Sequence, residues 1–159
     1  MQHARPALIR SAIVLIGLAC LGIAANAQAA SNCTLKLKGD DKMQFDLKTA
    51  TVSAGCAKIT VELTHTGKLA KEVMGHNVVI SKTADMTPIT TAGMGAGAAA
   101  GYVPKGDARV IAATPVVGGG ASTKTSFAGS KLKAGGDYSF YCSFPGHSGI
   151  MKGKLEVTK

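Results

Sequence analysis

Apolar and polar residues alternate with a period of two along most of this chain. Leu35 and Leu37 alternate with lysines in Thr-Leu-Lys-Leu-Lys, and Ile59, Val61 and Leu63 alternate with Lys58, Thr60 and Glu62. Similar runs lie around 76–81, 122–127, 137–143 and 153–158, each bounded by Gly, Asp or Pro. Successive side chains of a strand point to opposite faces, so strict alternation predicts half-buried antiparallel strands. Many short strands separated by turn residues predict an all-β sandwich or barrel. The stretch 84–108 breaks the pattern, with Ala, Gly and Met crowding 92–101 and Pro88 and Pro104 nearby. Alanine favours helix and glycine opposes it, so this segment predicts one short helix among loops, inserted between two strand-rich halves. The glycine run 118–120 predicts a loop tip. No internal repeat is present.

The N-terminus follows a different rule. Arg5 and Arg10 precede an apolar stretch from Ala12 to Ala25, and Ala-Asn-Ala-Gln-Ala-Ala follows it. A basic start, a short apolar run and an Ala-x-Ala site describe a secretory signal peptide over 1–29, cut after Ala29, with Ala27 and Ala30 as alternative last residues. The run is short for a membrane span, which needs about 20 apolar residues. Cys20 could be acylated in a lipoprotein, but Gly17 stands where such signals usually carry leucine, so no anchor is expected. The remaining residues, 30–159, number about 130 and make one domain with a single core. Export points to the periplasm, an oxidising compartment where disulfides persist. The mature chain keeps Cys33, Cys56 and Cys142, an odd number that leaves one thiol to be explained. Losing Arg5 and Arg10 takes the basic residues from 18 to 16 against nine acidic ones, a formal +7. Such a charge favours solubility and acidic partner surfaces. The lysines are dispersed and no nucleic-acid recognition motif accompanies them, so nucleic acid is not the expected partner.

The densest chemistry lies in Tyr-Cys-Ser-Phe-Pro-Gly-His-Ser-Gly-Ile-Met, residues 141–151. Cys142 shares strand parity with Tyr138 and Phe140, which predicts a core-facing thiol at a strand end. Pro145 and Gly146 turn the chain, and His147 and Met151 follow. Thiolate, imidazole and thioether lack only one imidazole of a His₂Cys copper site with a weak axial methionine. His76, in Met-Gly-His-Asn-Val, can supply it. Taken singly, each residue has an ordinary explanation: a buried cysteine packs as a small hydrophobe, and a lone methionine fills core. Their conjunction with an odd thiol in an exported chain favours the metal.

These residues carry a resemblance that spans nearly the whole mature chain. Asp-Lys-Met-Gln-Phe (41–45), Val-Met-Gly-His-Asn (73–77), Ala-Asp-Met (84–86), Arg-Val-Ile-Ala (109–112) and Cys-Ser-Phe-Pro-Gly-His-Ser-Gly-Ile-Met-Lys-Gly (142–153) resemble the azurins, bacterial members of the cupredoxins. Four residues separate Cys142 from His147 and three separate His147 from Met151, a longer first gap than in plastocyanins. The resemblance implies a Greek-key β-sandwich or barrel and one type 1 copper held by His76, Cys142 and His147. Met151 would be a distant axial ligand, with the Gly75 carbonyl opposite. Asn77 would tie the two ligand loops together, and the amides of Asn77 and Phe144 would point at the Cys142 sulfur. Cys33 and Cys56 match the family's disulfide. His65 matches a histidine outside the ligand set, expected to pack or to titrate. The implied work is one-electron transport by a monomer, with His147 on an exposed loop as the electron's exit. An apolar docking patch would comprise Met43, Leu69, Met74, Met94, Phe144 and Gly149. Its implied partners are c-type cytochromes and copper nitrite reductase. Departures are Val78, where several azurins place an indole, Ala113, where some have a histidine, and the Gly/Ala-rich 92–101.

Two rivals belong to other classes. A zinc enzyme could use His76, Cys142 and His147 with water in a fourth position, but it leaves Met151 idle and has no carboxylate motif for a general base. The same N/S donors accept zinc, so metal analysis with an optical spectrum separates the two readings. A copper store or chaperone would favour exposed, exchangeable ligands in Met/His-rich tracts, whereas here the ligands sit singly in a β frame. Reversible voltammetry without metal loss marks the carrier.

Overall fold

The computed structural model describes residues 32–159, with Met1; the expected signal segment 1–29, including Cys20, otherwise falls outside the described residues. Eight strands form two sheets: β1 (Thr34–Gly39), β2 (Thr49–Ser53), β3 (Ile59–His65), β4 (Val79–Lys82), β5 (Ala112–Ala113), β6 (Ser122–Phe127), β7 (Tyr138–Tyr141) and β8 (Lys152–Thr158). One sheet has the order β1-β3-β6 and the other β2-β8-β7-β4-β5. The sheets stay open at their edges, so the all-β expectation resolves to a sandwich and not a closed barrel.

The alternation decides which residues meet between the sheets. Leu35 lies opposite Val61, Leu37 opposite Leu63, and Ile59 opposite Phe127. All six are buried against Val52, Ile80, Tyr138, Phe140 and Leu155 of the second sheet. Burying a side chain of this size contributes roughly 1.5–3 kcal/mol, which makes this layer the main source of stability. Not every neighbour is antiparallel, as the alternation had suggested: β1 pairs parallel with β3, and β2 parallel with β8. A period of two fixes which face is buried but says nothing about strand direction.

The middle segment contains the expected helix, α2 (Met86–Ala96), flanked by single 3₁₀ turns; a short α1 (Lys71–Met74) was not anticipated. Ile89 and Gly93, one turn apart, are the buried residues of α2. Ile89 packs with Val79 and Tyr141 on the outer face of the five-stranded sheet, forming a second, smaller core. A side chain at Gly93 would collide with the Tyr102 carbonyl, so glycine is required where helix meets loop. The 118–120 turn is likewise packed: side chains at Gly118 and Gly119 would meet the backbone of Lys71 and Lys68. Strands β1 and β3 run in the same direction, which brings Gly39, His65 and the loops after them to one end of the sandwich.

Candidate metal centre

Three loops at that end converge. The C-terminal loop between β7 and β8 carries Cys142, His147 and Met151 and is closed on itself by backbone hydrogen bonds. Cys142 N donates to the Met151 carbonyl at 3.0 Å, Met151 N to the His147 carbonyl at 2.8 Å, and His147 N to the Phe144 carbonyl at 3.0 Å. Gly146 turns the chain with φ 81°, a left-handed conformation that favours glycine. β7 ends at Tyr141, one residue short of the cysteine. The parity reading nevertheless holds: Cys142 lies in the main core with Tyr138 and Phe140, while Tyr141 lies in the smaller one.

His76 is held from another loop by a two-residue bridge to Val117, with both backbone bonds at 2.9 Å. Its Nε2 lies 2.8 Å from the Asp40 carbonyl. Both ring nitrogens lie near carbonyls, which can only accept; a neutral ring can donate to one of them, and the shorter contact places the proton on Nε2. Burial favours that neutral ring, lowering the His76 pKa against the opposing pull of Asp40. Nδ1 then carries a lone pair; it lies 3.0 Å from the Gly75 carbonyl oxygen, with which it makes no hydrogen bond in this tautomer, and 4.0 Å from the Cys142 Sγ. His147 Nδ1 lies 3.6 Å from the same sulfur. The ligand atoms of His76, Cys142 and His147 all lie within 4.8 Å of one another. Electron pairs thus converge on one point, an arrangement that asks for a cation.

The site is dry. His76, Cys142 and Met151 have no exposed surface, and His147 is 3% exposed. The expectation of His147 on an exposed loop is therefore corrected in part: Pro145, Gly146, Gly149 and Ile150 are exposed, but the imidazole itself is buried, packed against Phe144 and His76. Burial pushes the Cys142 thiol up to about 11, while the backbone N–H groups of Asn77 and Phe144, hydrogen-bonded to the sulfur, pull the other way. Burial, then the neighbouring His76 and His65, push His147 down to about 4. At neutral pH the metal-free site therefore holds one thiol proton and two neutral imidazoles. A binding metal must displace that single proton.

The surrounding residues fix these donors. Asn77 donates through Nδ2 to the Ser143 hydroxyl at 2.8 Å and the Gly101 carbonyl at 3.1 Å, and its Oδ1 accepts from Ser143 N at 2.8 Å. One buried amide thereby joins the His76 loop, the Cys142 loop and the Gly/Ala-rich segment. At Gly75 any side chain would strike the Lys71 carbonyl, Val116 and Phe144, so crowding requires glycine there. Cys33 and Cys56 are bridged, and among the described residues Cys142 is the free cysteine.

The resemblance placed His65 outside the ligand set, whereas Gly39 left no legible signal. His65 is wholly buried and stacks on His76 with centroids 4.2 Å apart and planes 10° from parallel. Its Nε2 donates to the Met74 carbonyl at 2.8 Å while Nδ1 accepts from Gly67 N at 3.1 Å. It packs and does not join the ligand cluster. Gly39 leaves room for the metal pocket, since a Cβ there would lie 2.8 Å from the Met151 methyl and 2.9 Å from His76. Of the expected patch, Leu69 and Met94 are 41% and 55% exposed, but Val73 at 62% and Ile150 at 53% are also large exposed apolar residues. Both adjoin methionines already singled out, which was the available signal.

A family model described as copper binding proteins, plastocyanin/azurin family, matches residues 31–158. The chain is 53% identical over 127 residues to Azurin-1 of Alcaligenes xylosoxydans xylosoxydans, covering 80% of this chain and 98% of that one. It is 47% identical over 144 residues to an azurin of Bordetella pertussis, covering 91% and 96% respectively. Among solved structures it resembles the azurin Az-iso2 of Methylomonas sp. strain J, with TM-score 0.77 and 38% identity over 81% of this chain and all of that one. A thiolate and two imidazoles in a closed, dry site suit copper and leave no vacant position for a substrate. The chain belongs to the plastocyanin/azurin family of copper-binding proteins, and it is a blue-copper electron carrier with one type 1 copper, not an enzyme.

Proposed function

We propose that Nδ1 of His76, Sγ of Cys142 and Nδ1 of His147 would hold the copper, with the Met151 thioether and the Gly75 carbonyl as weaker donors beside them. The observation carrying this reading is the convergence of two imidazole nitrogens and one sulfur on one buried point. Copper bound there supplies one-electron chemistry between Cu(II) and Cu(I). The chain's own part is to hold the donors still. The Asp40 carbonyl and the Val117 bridge pin His76, the Met151 carbonyl pins the Cys142 backbone, and Asn77 locks one loop to the other. A donor set that barely moves on electron gain keeps the reorganisation cost low. The Asn77 and Phe144 amides favour the electron-rich sulfur and so tune the potential.

The carrier works in the periplasm after residues 1–29 are removed, and no helix of the described residues is long and apolar enough to cross a membrane. It acts as a monomer on redox partner proteins. c-type cytochromes and copper nitrite reductase dock on the patch of Met43, Leu69, Met74, Met94, Phe144 and Gly149, extended by Val73 and Ile150. Phe144 of this patch packs 4.7 Å from the His147 ring, which supports that imidazole as the way out for the electron. Such transient contacts bury under ~1,200 Å² in total.

Met151→Leu tests the axial role. The variant is expected to keep copper and its intense visible band while the reduction potential rises, because a donor that stabilises Cu(II) has gone. An unchanged potential, or loss of the band with copper retained, contradicts the assignment.

A further inference from the structure

A cleft of about 660 Å³ opens beside the metal site, between α1, the 98–101 turn and the segment 113–116. This volume falls in the range of small-molecule sites, which combine apolar walls with a few polar groups. Tyr102 and Phe144 form an aromatic wall, edge to face with centroids 5.1 Å apart. Tyr102 is held at φ 58°, a left-handed conformation unusual for an aromatic residue, with its N–H on the Gly97 carbonyl at 3.0 Å. Disfavoured backbone of this kind persists where surrounding structure imposes it and is common at ligand clamps. Val116 and the small side chains of the Gly/Ala-rich turn, such as Ala100, complete the lining and leave the space open.

The rim selects by charge. Without residues 1–29 the chain carries a formal +7 and should favour anions, yet the cleft lining presents one cation, Lys71, and one anion, Glu72, its neighbour in sequence. Among the described residues neither belongs to an ion pair. Locally their charges cancel, which favours a neutral ligand. An ammonium donor next to a carboxylate acceptor suits a hydroxyl, which both accepts and donates.

We propose that this cleft binds one small, uncharged, planar aromatic molecule bearing a hydroxyl group, of the phenol class. Its ring packs against Tyr102 and Phe144, and its hydroxyl meets Lys71 and Glu72. The site stands on residues outside the ligand set, so it does not depend on which donors hold the copper. The cleft also explains why a Gly/Ala-rich turn sits here: larger side chains on it would close the space.

Titration of p-cresol into the Cu(I)-loaded protein, followed by ¹H–¹⁵N NMR, tests the inference. The expected result is a saturable, single-site response confined to Lys71–Glu72, Gly101–Tyr102, 113–116 and Phe144. Cyclohexanol, which is not planar, and benzoate, which is charged, should each bind about tenfold or more weakly. Ala100→Trp should abolish the response by filling the cleft. Glu72→Gln, an exposed change that leaves the fold intact, should weaken binding about threefold to tenfold by removing a charged acceptor. Non-saturating or scattered shifts would overturn the proposal. So would equal binding of cyclohexanol, equal binding of benzoate, or unchanged p-cresol binding in either variant.

Discussion

The two ends of the sandwich are closed by different means. At one end a covalent bridge joins Cys33, just before β1, to Cys56, just before β3. At the other, Gly39 and His65 end the same two strands and abut the metal pocket. Strands of six or seven residues put about 20 Å between the ends. The disulfide end needs no metal and makes no demand on pKa values. The loop end is held by backbone hydrogen bonds and one amide, Asn77, and it contains three donors whose ordinary protonation is disturbed. Stability and chemistry are thus separated along the strands, so a metal site can be assembled on a frame that folds without it.

The comparison is broken most severely by opening the disulfide. The double variant Cys33→Ser, Cys56→Ser releases a loop of 23 residues. In the chain-entropy model the loss is about 3 kcal/mol, or about 10 °C in Tm. The copper-loaded variant should keep its visible spectrum, because the far end is untouched. Calorimetry beside optical spectra checks both halves; a changed spectrum at low temperature would show the ends to be coupled.

Asn77→Ala attacks the loop end without touching a ligand. It strands the Ser143 N–H and the Gly101 carbonyl, which should cost about 2 kcal/mol. Unlike the disulfide variant, it should also change the potential and accelerate copper loss. Denaturant melts and voltammetry would measure these, and an altered melt with an unchanged potential would make Asn77 a purely structural residue.

The pH profile of the metal-free protein probes the protonation of the buried groups directly. His147 titrates near 4 in the fold against an ordinary 6.5, so as pH falls below 6.5 the unfolded chain gains its proton first and stability is lost down to about 4. Cys142 acts in the opposite sense: its thiol is held up to about 11 from 9.0, so the unfolded chain ionises first and stability is lost from pH 9 to 11. Tyr141, raised from 10.0 to about 12 by burial, adds to the alkaline loss. Tm should be flat between about 6.5 and 9 and decline on both sides. A Tm that rises below pH 6 would contradict the buried, neutral His147.

Much of this division was legible in the chain. The strands with clean alternation, β1, β3 and β8, emerge where expected, because each must bury one face; β6 also lies where expected, although Phe127 is its one buried residue. β2 escaped notice because its apolar positions are only Ala50 and Val52 among threonines and serine. β5 is two residues long and carries no period at all. Parallel pairing was not legible, since direction follows from how loops cross between the sheets. In the site, Cys142 and His147 were readable from spacing, and Cys142 also from parity. The supports were not: Gly39, the Asp40 carbonyl and the His65 stack act through backbone space and distant packing, which leave no pattern in a single sequence.

The central claim is that the Cys142 thiolate makes the colour and the fast one-electron site, and copper titration of Cys142→Ser tests it most directly. Serine replaces a soft, polarizable sulfur with a hard, weakly acidic hydroxyl, while the Cys33–Cys56 end keeps the fold. The native protein should develop an intense visible band that saturates at one copper per chain and releases one proton near pH 7, the proton of a thiol held up to about 11. The serine variant should fold, bind copper weakly through His76 and His147, and remain essentially colourless. An equally intense band in that variant would contradict the account.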